Sequence, residues 1–529
     1  MRRCQDERCQ VSGVGCQLQR RIACGVLLLV TASCATTPVE DPNVKVASVF
    51  QNNMVLQRGI EVPVWGTAAP GTTVEVRFKK QKKQAKTDKN GRWMIRLDPL
   101  RASSTPGAMR ISSHPLPINH QPSTIANVLV GEVWLCSGQS NMEMSLRKSE
   151  NGTAAAAKAD HPSIRLFNVP HKSVAEPQPD CGGKWQVCTP ETAADFAAVA
   201  YYLGKDIHEK LEVPVGLIHS AWSGACAESL MPIDCLEKSP KLKHIVPRWE
   251  KYKADYPNNL KKYEEARKKW DKDKKGKRPK RPKNPDGPET SLARLYNGMI
   301  HPLIPFGMRG VAFYQAENNV INIEEYKDIF PLLIREWRRH WGQGDFPFMF
   351  VQIANFGKHP TEPEDGIWAR LRDAQLSGLK EPNTFVVTAV DIGGSFHPHN
   401  KKDIGLRLAL AARANVYGEK KLVWSGPMFK SMEIEAGKAV LSFDHIGGGL
   451  VIKDGDKLEG FTIAGKDRIW VWADAVIEDG KVVVSSKDVE KPVAVRYAWA
   501  TNPKANLYNQ AGLPTIPFRT DNWPSTQSL

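Results

Sequence analysis

Apolar and polar positions follow two different periods along the chain, and the change of period divides it into regions. From about residue 44 to 120, short runs such as Thr73–Phe78 alternate apolar and polar residues, and turn signals at Pro70–Gly71 and Lys89–Gly91 separate them. A period of two is typical of strands with one buried face. We therefore predict a small β-sandwich-like module over 44–120, and its runs group no His, Asp or Cys into a site.

Between about residues 127 and 415, continuous apolar runs replace the alternation. Such runs predict strands that are buried on both faces; they are Val128–Cys136, Val215–Ile218, Gly310–Tyr314, Phe348–Ile353 and Phe385–Val390. Amphipathic helical patterns lie between them, at Ala194–Leu211, Tyr326–Trp341 and Trp368–Leu379. Strands that alternate with helices predict an α/β fold with a mostly parallel sheet.

Two further regions depart from this order. The segment 236–289 has the composition of a charged helix followed by a Pro-rich tether, which predicts a surface insertion that either covers the cleft or only decorates it. From 416 to 529 the strand pattern returns, with hairpin signals at Lys453–Gly455 and Glu478–Gly480. We predict a β-rich C-terminal domain over 416–529.

The N-terminus has the pattern of an export signal. Arg20 and Arg21 precede the apolar stretch 22–30, and the small residues of 31–35 follow. This stretch is too short for a transmembrane span, so we predict a signal peptide over 1–35 and a periplasmic or extracellular protein. Cys34 is an alternative point of lipid attachment, which would anchor the protein to a membrane. No other apolar run reaches spanning length.

Composition and charge narrow the class of protein. The 529 residues are too many for one ordinary core, and the 41% hydrophobic and 25% charged residues are typical of a globular protein. Much of the formal charge of +16 lies in the run from Lys261 to Lys283, which is typical of a solvated helix. Because no nucleic-acid-binding motif accompanies it, we predict no nucleic-acid partner. In an oxidising compartment, the neighbouring pairs Cys181/Cys188 and Cys226/Cys235 predict two disulfides, with Cys136 buried and unpaired.

Three polar clusters directly follow predicted strands: Ser137–Met142, Tyr314–Asn319 and Asp391–Pro398. Ligands of α/β sheets bind beyond the carboxyl ends of the strands, where these clusters fall. A serine hydroxyl needs an adjacent base to act as a nucleophile, so Ser140 is the candidate nucleophile and His397 the candidate base. The alternatives are that Ser140 caps a helix and that His397 makes one structural hydrogen bond.

The amino-acid sequences of these clusters resemble the motifs of the sialate O-acetylesterase family, which belongs to the SGNH/GDSL hydrolases. The resemblance is carried by Ser137–Met142, by the Tyr314–Glu317 element, by His397-Pro398-His399-Asn400-Lys401 and by Gly405-Leu406-Arg407-Leu408, together with stretches such as Asn53–Arg58 and Leu295–Pro302. It implies a flavodoxin-like, three-layer α/β/α SGNH domain over 127–415, flanked by the β-rich N-terminal and C-terminal regions. It also implies an acetyl-enzyme formed on Ser140 with His397 as base, without a cofactor.

The same resemblance implies roles for neighbouring residues. The backbone N–H of Ser140, Gly224 and a group from the Gln315 element would bind the oxyanion. Gln139, Asn141, Gln315 and Glu317 would line and brace the site.

The chain departs from the family pattern at three places. It has Ser223-Gly224-Ala225 where the family has Gly-Gly-Thr, and Gln315-Ala316-Glu317 where the family has Gln-Gly-Glu. The family places an aspartate close before the catalytic histidine, but residues 393–396 contain no carboxylate. Asp391 is the nearest carboxylate that can orient His397, and a Ser–His dyad is the alternative.

These residues support three hypotheses about function. The first is an esterase that removes acetyl groups from sugars, such as acetylated sialic acid or acetylated xylan. The second is a catalytically weak or inactive carbohydrate-binding homologue, because the orienting aspartate is missing. The third is a metal-dependent deacetylase through His397 and His399, but no acidic residue stands at ligand spacing beside them, so we predict no metal.

Overall fold

The computed structural model describes residues 39–117 and 120–525. The predicted signal peptide and Cys34 lie outside the described residues. Within the described ranges, no helix combines the length and the apolar character that a membrane span requires.

Strands dominate both ends of the described chain, and helices are concentrated in its centre. In chain order, the strands are β1 (Val39–Glu40), β2 (Val44–Val46), β3 (Val55–Gln57), β4 (Val62–Ala68), β5 (Thr73–Phe78), β6 (Gln81–Lys86), β7 (Arg92–Leu97), β8 (Ser103–His114), β9 (His120–Gln121), β10 (Ser123–Gly138), β11 (His161–Asn168), β12 (Lys184–Cys188), β13 (Val215–Ala221), β14 (Gly310–Tyr314), β15 (Phe348–Gln352), β16 (Thr384–Thr388), β17 (Met428–Glu435), β18 (Lys438–Asp444), β19 (Leu450–Ile452), β20 (Phe461–Ala464), β21 (Trp470–Trp472), β22 (Asp474–Glu478), β23 (Lys481–Ser485), β24 (Ala494–Tyr497), β25 (Leu507–Asn509) and β26 (Phe518–Arg519). The α-helices are α1 (Ser140–Glu143), α2 (Gly152–Ala157), α3 (Pro190–Ala194), α4 (Ala198–Leu211), α5 (Ile233–Lys238), α6 (Ile245–Asp273), α7 (Ile323–Trp341), α8 (Ile367–Gln375) and α9 (Lys401–Asn415).

The central sheet has the order β12-β11-β13-β10-β14-β15-β16. All its neighbouring pairs are parallel except β11 with β12. The mixed α/β class and the five predicted buried strands are confirmed, since β13, β14 and β15 are buried at every position. The finer prediction of a three-layer SGNH arrangement stays a prediction.

The three predicted helices are present, and their ends differ from the predicted ends by four residues or fewer. Helices α4, α7 and α8 occupy the three predicted segments. Helix α9 follows the third polar cluster, and it packs on α4 and against β15 and β16. The insertion contains the charged helix α6, which is mostly exposed and has Pro257 inside it. The apolar stripes of the helices thus cover a sheet whose strands are buried on both faces.

Strand β10 is 16 residues long and joins two parts of the molecule. Its first half pairs with β8 and β3 of the N-terminal β region, and its second half pairs with β13 and β14. Strands β3, β5, β6 and β8 are therefore hydrogen-bonded into one sheet with the central strands, whereas β2, β4 and β7 form a separate three-stranded sheet.

The C-terminal region is rich in strands, and its named strand pairs are antiparallel. The turn at Glu478–Gly480 closes the hairpin of β22 and β23. The hairpin predicted at Lys453–Gly455 is wrong, because β19 pairs with β25 while β20 pairs with β21 and β24. The local turn signal is real, but partners distant in the sequence take both strands.

The predicted disulfides are also wrong. All five cysteines of the described part are free and buried. The thiol of Cys188 lies 3.8 Å from the carbonyl of Ala159, and the thiol of Cys226 lies 3.6 Å from the carbonyl of Ser291. Each thiol of the two predicted pairs is close to a backbone carbonyl instead of to its predicted partner. Cys136 is buried and unpaired, as predicted.

Candidate active site

Three strand ends meet at one point of the central sheet. Gly138, the last residue of β10, lies level with Ala221 at the end of β13 and with Tyr314 at the end of β14. Gly138 has φ +140°, and a Cβ there would lie 2.1 Å from the carbonyl oxygen of Tyr314. Only glycine permits this close passage between neighbouring strands, and the chain then turns directly into α1.

The structure brings Ser140 and His397 together across 257 positions of sequence. His397 Nε2 lies 2.8 Å from Ser140 Oγ, which is hydrogen-bond distance. Ser140 is the first residue of α1, whose N-cap is Gln139, so the alternative of Ser140 as a helix cap is wrong. Burial of the imidazole, followed by the charges of Lys401 and His399, lowers the pKa of His397 below its usual 6.5. The ring is therefore neutral at neutral pH, the form that accepts a hydroxyl proton.

Two backbone N–H groups beside Ser140 are available as donors. In the described chain, neither the N–H of Ser140 nor that of Gly224 has a hydrogen-bond partner. Gly224 has φ +79°, a conformation that glycine adopts without strain. Free backbone N–H groups that face a developing oxyanion stabilise it; the oxyanion role of these two groups stays a prediction.

Asn141 connects the Ser140 turn to the His397 loop. Its Nδ2 donates to Glu317 Oε1 at 2.6 Å and to the carbonyl of Phe396 at 3.3 Å, while Lys401 Nζ donates to its Oδ1 at 2.6 Å. Lys401 is fully buried, and burial lowers its pKa to about 7, partly offset by Glu317. Burial raises the pKa of Glu317, because it disfavours the charged carboxylate, and the hydrogen bond from Asn141 offsets part of this rise. These hydrogen bonds are the contacts through which Asn141 and Glu317 would brace the site, and the bracing roles stay predictions.

Gln315 and Gln139 are placed at the site but are held by protein groups. Gln315 Nε2 donates to the carbonyl of Ala225 and to Asn319 Oδ1, and its Oε1 accepts from Tyr326. Its amide is therefore fully engaged, which fits a bracing role and not a donor to an oxyanion. Gln139 Oε1 accepts from the N–H of Asn318 at 3.3 Å.

The role predicted for Asp391 does not agree with the structure. Both its oxygens accept from Arg407, each at 2.7 Å, and Tyr508 adds a hydrogen bond at 2.9 Å. Among the described residues, His397 Nδ1 has no hydrogen-bond partner, so no carboxylate orients the ring. The short sequence separation suggested a contact, but the guanidinium of Arg407 takes both oxygens of Asp391.

Several residues of the site were not singled out from the sequence. Phe396 is 41% exposed, and its ring meets the His397 ring edge-on at 4.9 Å. Glu143 Oε2 accepts from the N–H of Ser223, and its Oε1 lies 3.0 Å from His171 Nε2. Glu143 lies three positions after Ser140, which is one helical turn, and that spacing was the available signal.

The insertion reaches the site through its returning chain, residues 283–289, which we call the return arm. Lys283 Nζ donates to Asn318 Oδ1 at 3.0 Å, and Asn318 Nδ2 donates to the carbonyl of Glu289 at 2.7 Å. The Glu289 side chain also packs against Gly224. The insertion therefore contacts residues that flank the Ser140 turn. In the described ranges, no group of three or more His, Cys, Asp or Glu is arranged to hold a metal.

Comparison with known proteins identifies the class. The family model described as carbohydrate esterase, sialic acid-specific acetylesterase matches residues 286–413, which include Glu317 and His397. A carbohydrate acetylesterase from Xanthomonas citri of known crystal structure is 35% identical, with a TM-score of 0.76; the match covers 91% of this chain and 100% of that one. This protein is therefore a carboxylic ester hydrolase of the carbohydrate esterase class.

The curated relatives are sialate O-acetylesterases. Sialate O-acetylesterase from Homo sapiens is 29% identical over 91% of this chain and 94% of its own length. Its counterpart from Mus musculus is 29% identical over 93% and 97%, respectively. The chain therefore belongs with the carbohydrate acetylesterases, and it is similar to sialate O-acetylesterases over most of its length.

Proposed function

We propose that this protein hydrolyses O-acetyl esters of carbohydrates through an acetyl-enzyme formed on Ser140, with His397 as the base. The observation that carries the proposal is the 2.8 Å contact between His397 Nε2 and Ser140 Oγ at the carboxyl end of the central strands. The membership of the chain in a family of carbohydrate acetylesterases supports the choice of an acetyl ester as substrate.

The proposed reaction has two stages. Ser140 Oγ attacks the acetyl carbonyl while its proton passes to His397 Nε2, and the carbonyl oxygen becomes an oxyanion. His397 then protonates the sugar oxygen as the C–O bond breaks. Water, deprotonated by His397, attacks the acetyl-enzyme and releases acetate.

The oxyanion would be bound by the backbone N–H groups of Ser140 and Gly224. Both groups are fixed before the substrate arrives, because Gly138 and the hydrogen bond from Trp222 N–H to its carbonyl hold the two turns side by side. Preorganised donors of this kind each contribute about 3 kcal/mol to transition-state stabilisation.

Phe396 and Asn141 would do part of what an orienting carboxylate does elsewhere. Asn141 holds the carbonyl of Phe396, the residue before His397, and Asn141 itself is fixed by Lys401 and Glu317. The base loop is thus tied to the nucleophile turn. Without a carboxylate on Nδ1, the imidazolium formed in the reaction is stabilised less, so a modest kcat is expected.

A non-catalytic carbohydrate-binding protein of the same fold is the second candidate. The observation that favours it is that, within residues 39–117 and 120–525, His397 Nδ1 has no carboxylate partner. Both candidates share the proposed SGNH-type three-layer domain over 127–415 and the proposed export signal over 1–35, which N-terminal sequencing of the mature protein from its native host would check.

One experiment separates the two candidates. The wild-type protein and Ser140→Ala are each incubated with p-nitrophenyl acetate and with acetylated xylo-oligosaccharides, and acetate release is measured. We expect release by the wild type and a loss of about 1000-fold or more in Ser140→Ala. Equal rates for both proteins, or no release by either, would favour the binding protein.

The pH profile of the wild type gives a second readout. Because the pKa of His397 is lowered, its neutral form persists into more acidic solution, and the acid limb of kcat/KM should lie below pH 6.5. An acid limb well above that value would contradict His397 as the base.

A further inference from the structure

The surface that flanks the Ser140 turn, which we call the wall, combines an aromatic pair with a polar pair. The rings of His171 and Trp222 stack at 4.4 Å and 6°, and His171 is exposed while Trp222 is half-buried. Glu289 of the return arm lies next to Gly224, and Lys283 Nζ of the same arm lies 3.6 Å from Glu289 Oε2. Both of these side chains are nearly half exposed, at 45% and 44%.

This wall is continuous with the catalytic turn at both ends. Glu143 of α1 holds His171 and Ser223 with its two carboxylate oxygens. At the other end, Asn318 joins the return arm to Gln139, the residue before Ser140. The wall is therefore positioned by the same helix and motif that position the nucleophile.

The return arm is held firmly on its other side by helix α6. Trp249 Nε1 donates to the carbonyl of Pro285 at 3.1 Å, and the hydroxyl of Tyr252 donates to the carbonyl of Lys283. Ser173, two residues after His171, donates to the carbonyl of Asp286. The arm thus spans from the insertion helix to the aromatic pair.

We propose that the His171–Trp222 pair and the return arm form the subsite that binds the sugar part of the ester, a proposal that rests on the proposed function. A sugar ring has an apolar C–H face that suits an aromatic surface, and hydroxyls that need a donor and an acceptor close together. Lys283 and Glu289 supply that donor and that acceptor.

The charges of the wall indicate a neutral sugar as ligand. Lys283 is matched by Glu289, His171 by Glu143, and Arg294 lies 3.5 Å from Asp286. Each of these three cationic or titratable groups already has a carboxylate neighbour, so none of them is free to pair with a substrate carboxylate. The subsite fits a neutral acetylated sugar, for which acetylated xylo-oligosaccharide is the probe, better than it fits a sialic acid.

The test compares substrates with and without a sugar. Lys283→Met keeps the apolar stem and removes the donor, and His171→Ala removes the stacking partner. For each, the ratio of kcat/KM on acetylated xylo-oligosaccharide to kcat/KM on p-nitrophenyl acetate should fall by about tenfold, the effect of a lost polar contact in Lys283→Met and of a lost stacking surface in His171→Ala. Lys262→Met, in the exposed part of α6, is the matched control and should leave the ratio unchanged.

Binding measurements keep the subsite distinguishable from the reaction. Calorimetry should show a xylo-oligosaccharide without acetyl groups binding to Ser140→Ala and binding more weakly to the double variant with Lys283→Met. Unchanged ratios and unchanged binding in both wall variants would overturn the subsite, even if the esterase is active. Binding that depends on Lys283 in a protein without hydrolysis would support the subsite and refute the proposed function. A higher kcat/KM on O-acetylated sialic acid than on the neutral substrate would overturn the neutral ligand class.

Discussion

At the scale of single residues, the hydrogen bonds of Asp391 link parts of the structure and do not reach His397. Asp391 is 10% exposed and forms a bidentate pair with Arg407 of α9. The hydroxyl of Tyr508 from β25 completes the group. The burial of Asp391 is offset mainly by Arg407, so its pKa is lowered and it stays charged. Asp391 thus links the loop after β16 to the C-terminal β region.

Replacing Asp391 therefore distinguishes a structural role of this carboxylate from a catalytic one. In Asp391→Asn, Arg407 loses its charged partner inside the protein, and the free energy of unfolding should fall by about 3 kcal/mol. The kcat on p-nitrophenyl acetate should stay within about threefold of wild type, whereas loss of an orienting carboxylate can cost about 10,000-fold. Chemical denaturation and initial rates measure the two effects on the same samples.

Tyr508→Phe is the matched control for that experiment, because it removes one hydrogen bond from Asp391 and keeps the charge pair. It should cost only about 1 kcal/mol. A large loss of kcat in Asp391→Asn, with stability unchanged, would return Asp391 to the catalytic role.

At the scale of elements, buried strands were predictable because their apolar runs are continuous. The same signal was too weak for β11 and β12, where polar residues interrupt the runs and β12 is an antiparallel edge strand. Helix α9 was also not predicted. Lys401 and Arg407 of this helix are buried because Asn141 and Asp391 accept their hydrogen bonds. The local pattern of apolar and polar residues does not show these partners.

Some features of the candidate site could likewise be predicted from the local sequence, and others could not. The turn around Ser140 and the His397 motif were predictable, because strand ends and polar clusters coincide in the sequence. The failed role of Asp391 and the contribution of the return arm depend on contacts between distant segments, such as Lys283 with Asn318 across 35 positions. Spacing along the chain carries no information about such contacts.

At the scale of the whole molecule, Glu132 is the point where three parts of the chain meet. It is fully buried on β10, and it accepts hydrogen bonds from Gln57 and Arg58 of the N-terminal region. Arg309, just before β14, and Tyr417, after α9, contact the same carboxylate. Because β10 also runs through both halves of the sheet, we expect the N-terminal and central parts to unfold together.

Glu132→Gln is the variant that tests this cooperativity. Two arginines, whose side chains are 31% and 26% exposed, would lose their buried charged partner, so the free energy of unfolding should fall by about 3 kcal/mol, in a single transition for both proteins. The kcat of the folded variant should not change, because six residues of extended strand place Glu132 roughly 20 Å from the Ser140 turn. Glu433→Gln on the exposed side of β17 is the control and should shift stability by no more than about 0.5 kcal/mol. A separate early transition, detected by the fluorescence of Trp65 and Trp93 while esterase activity persists, would show that the N-terminal region is an independent folding unit.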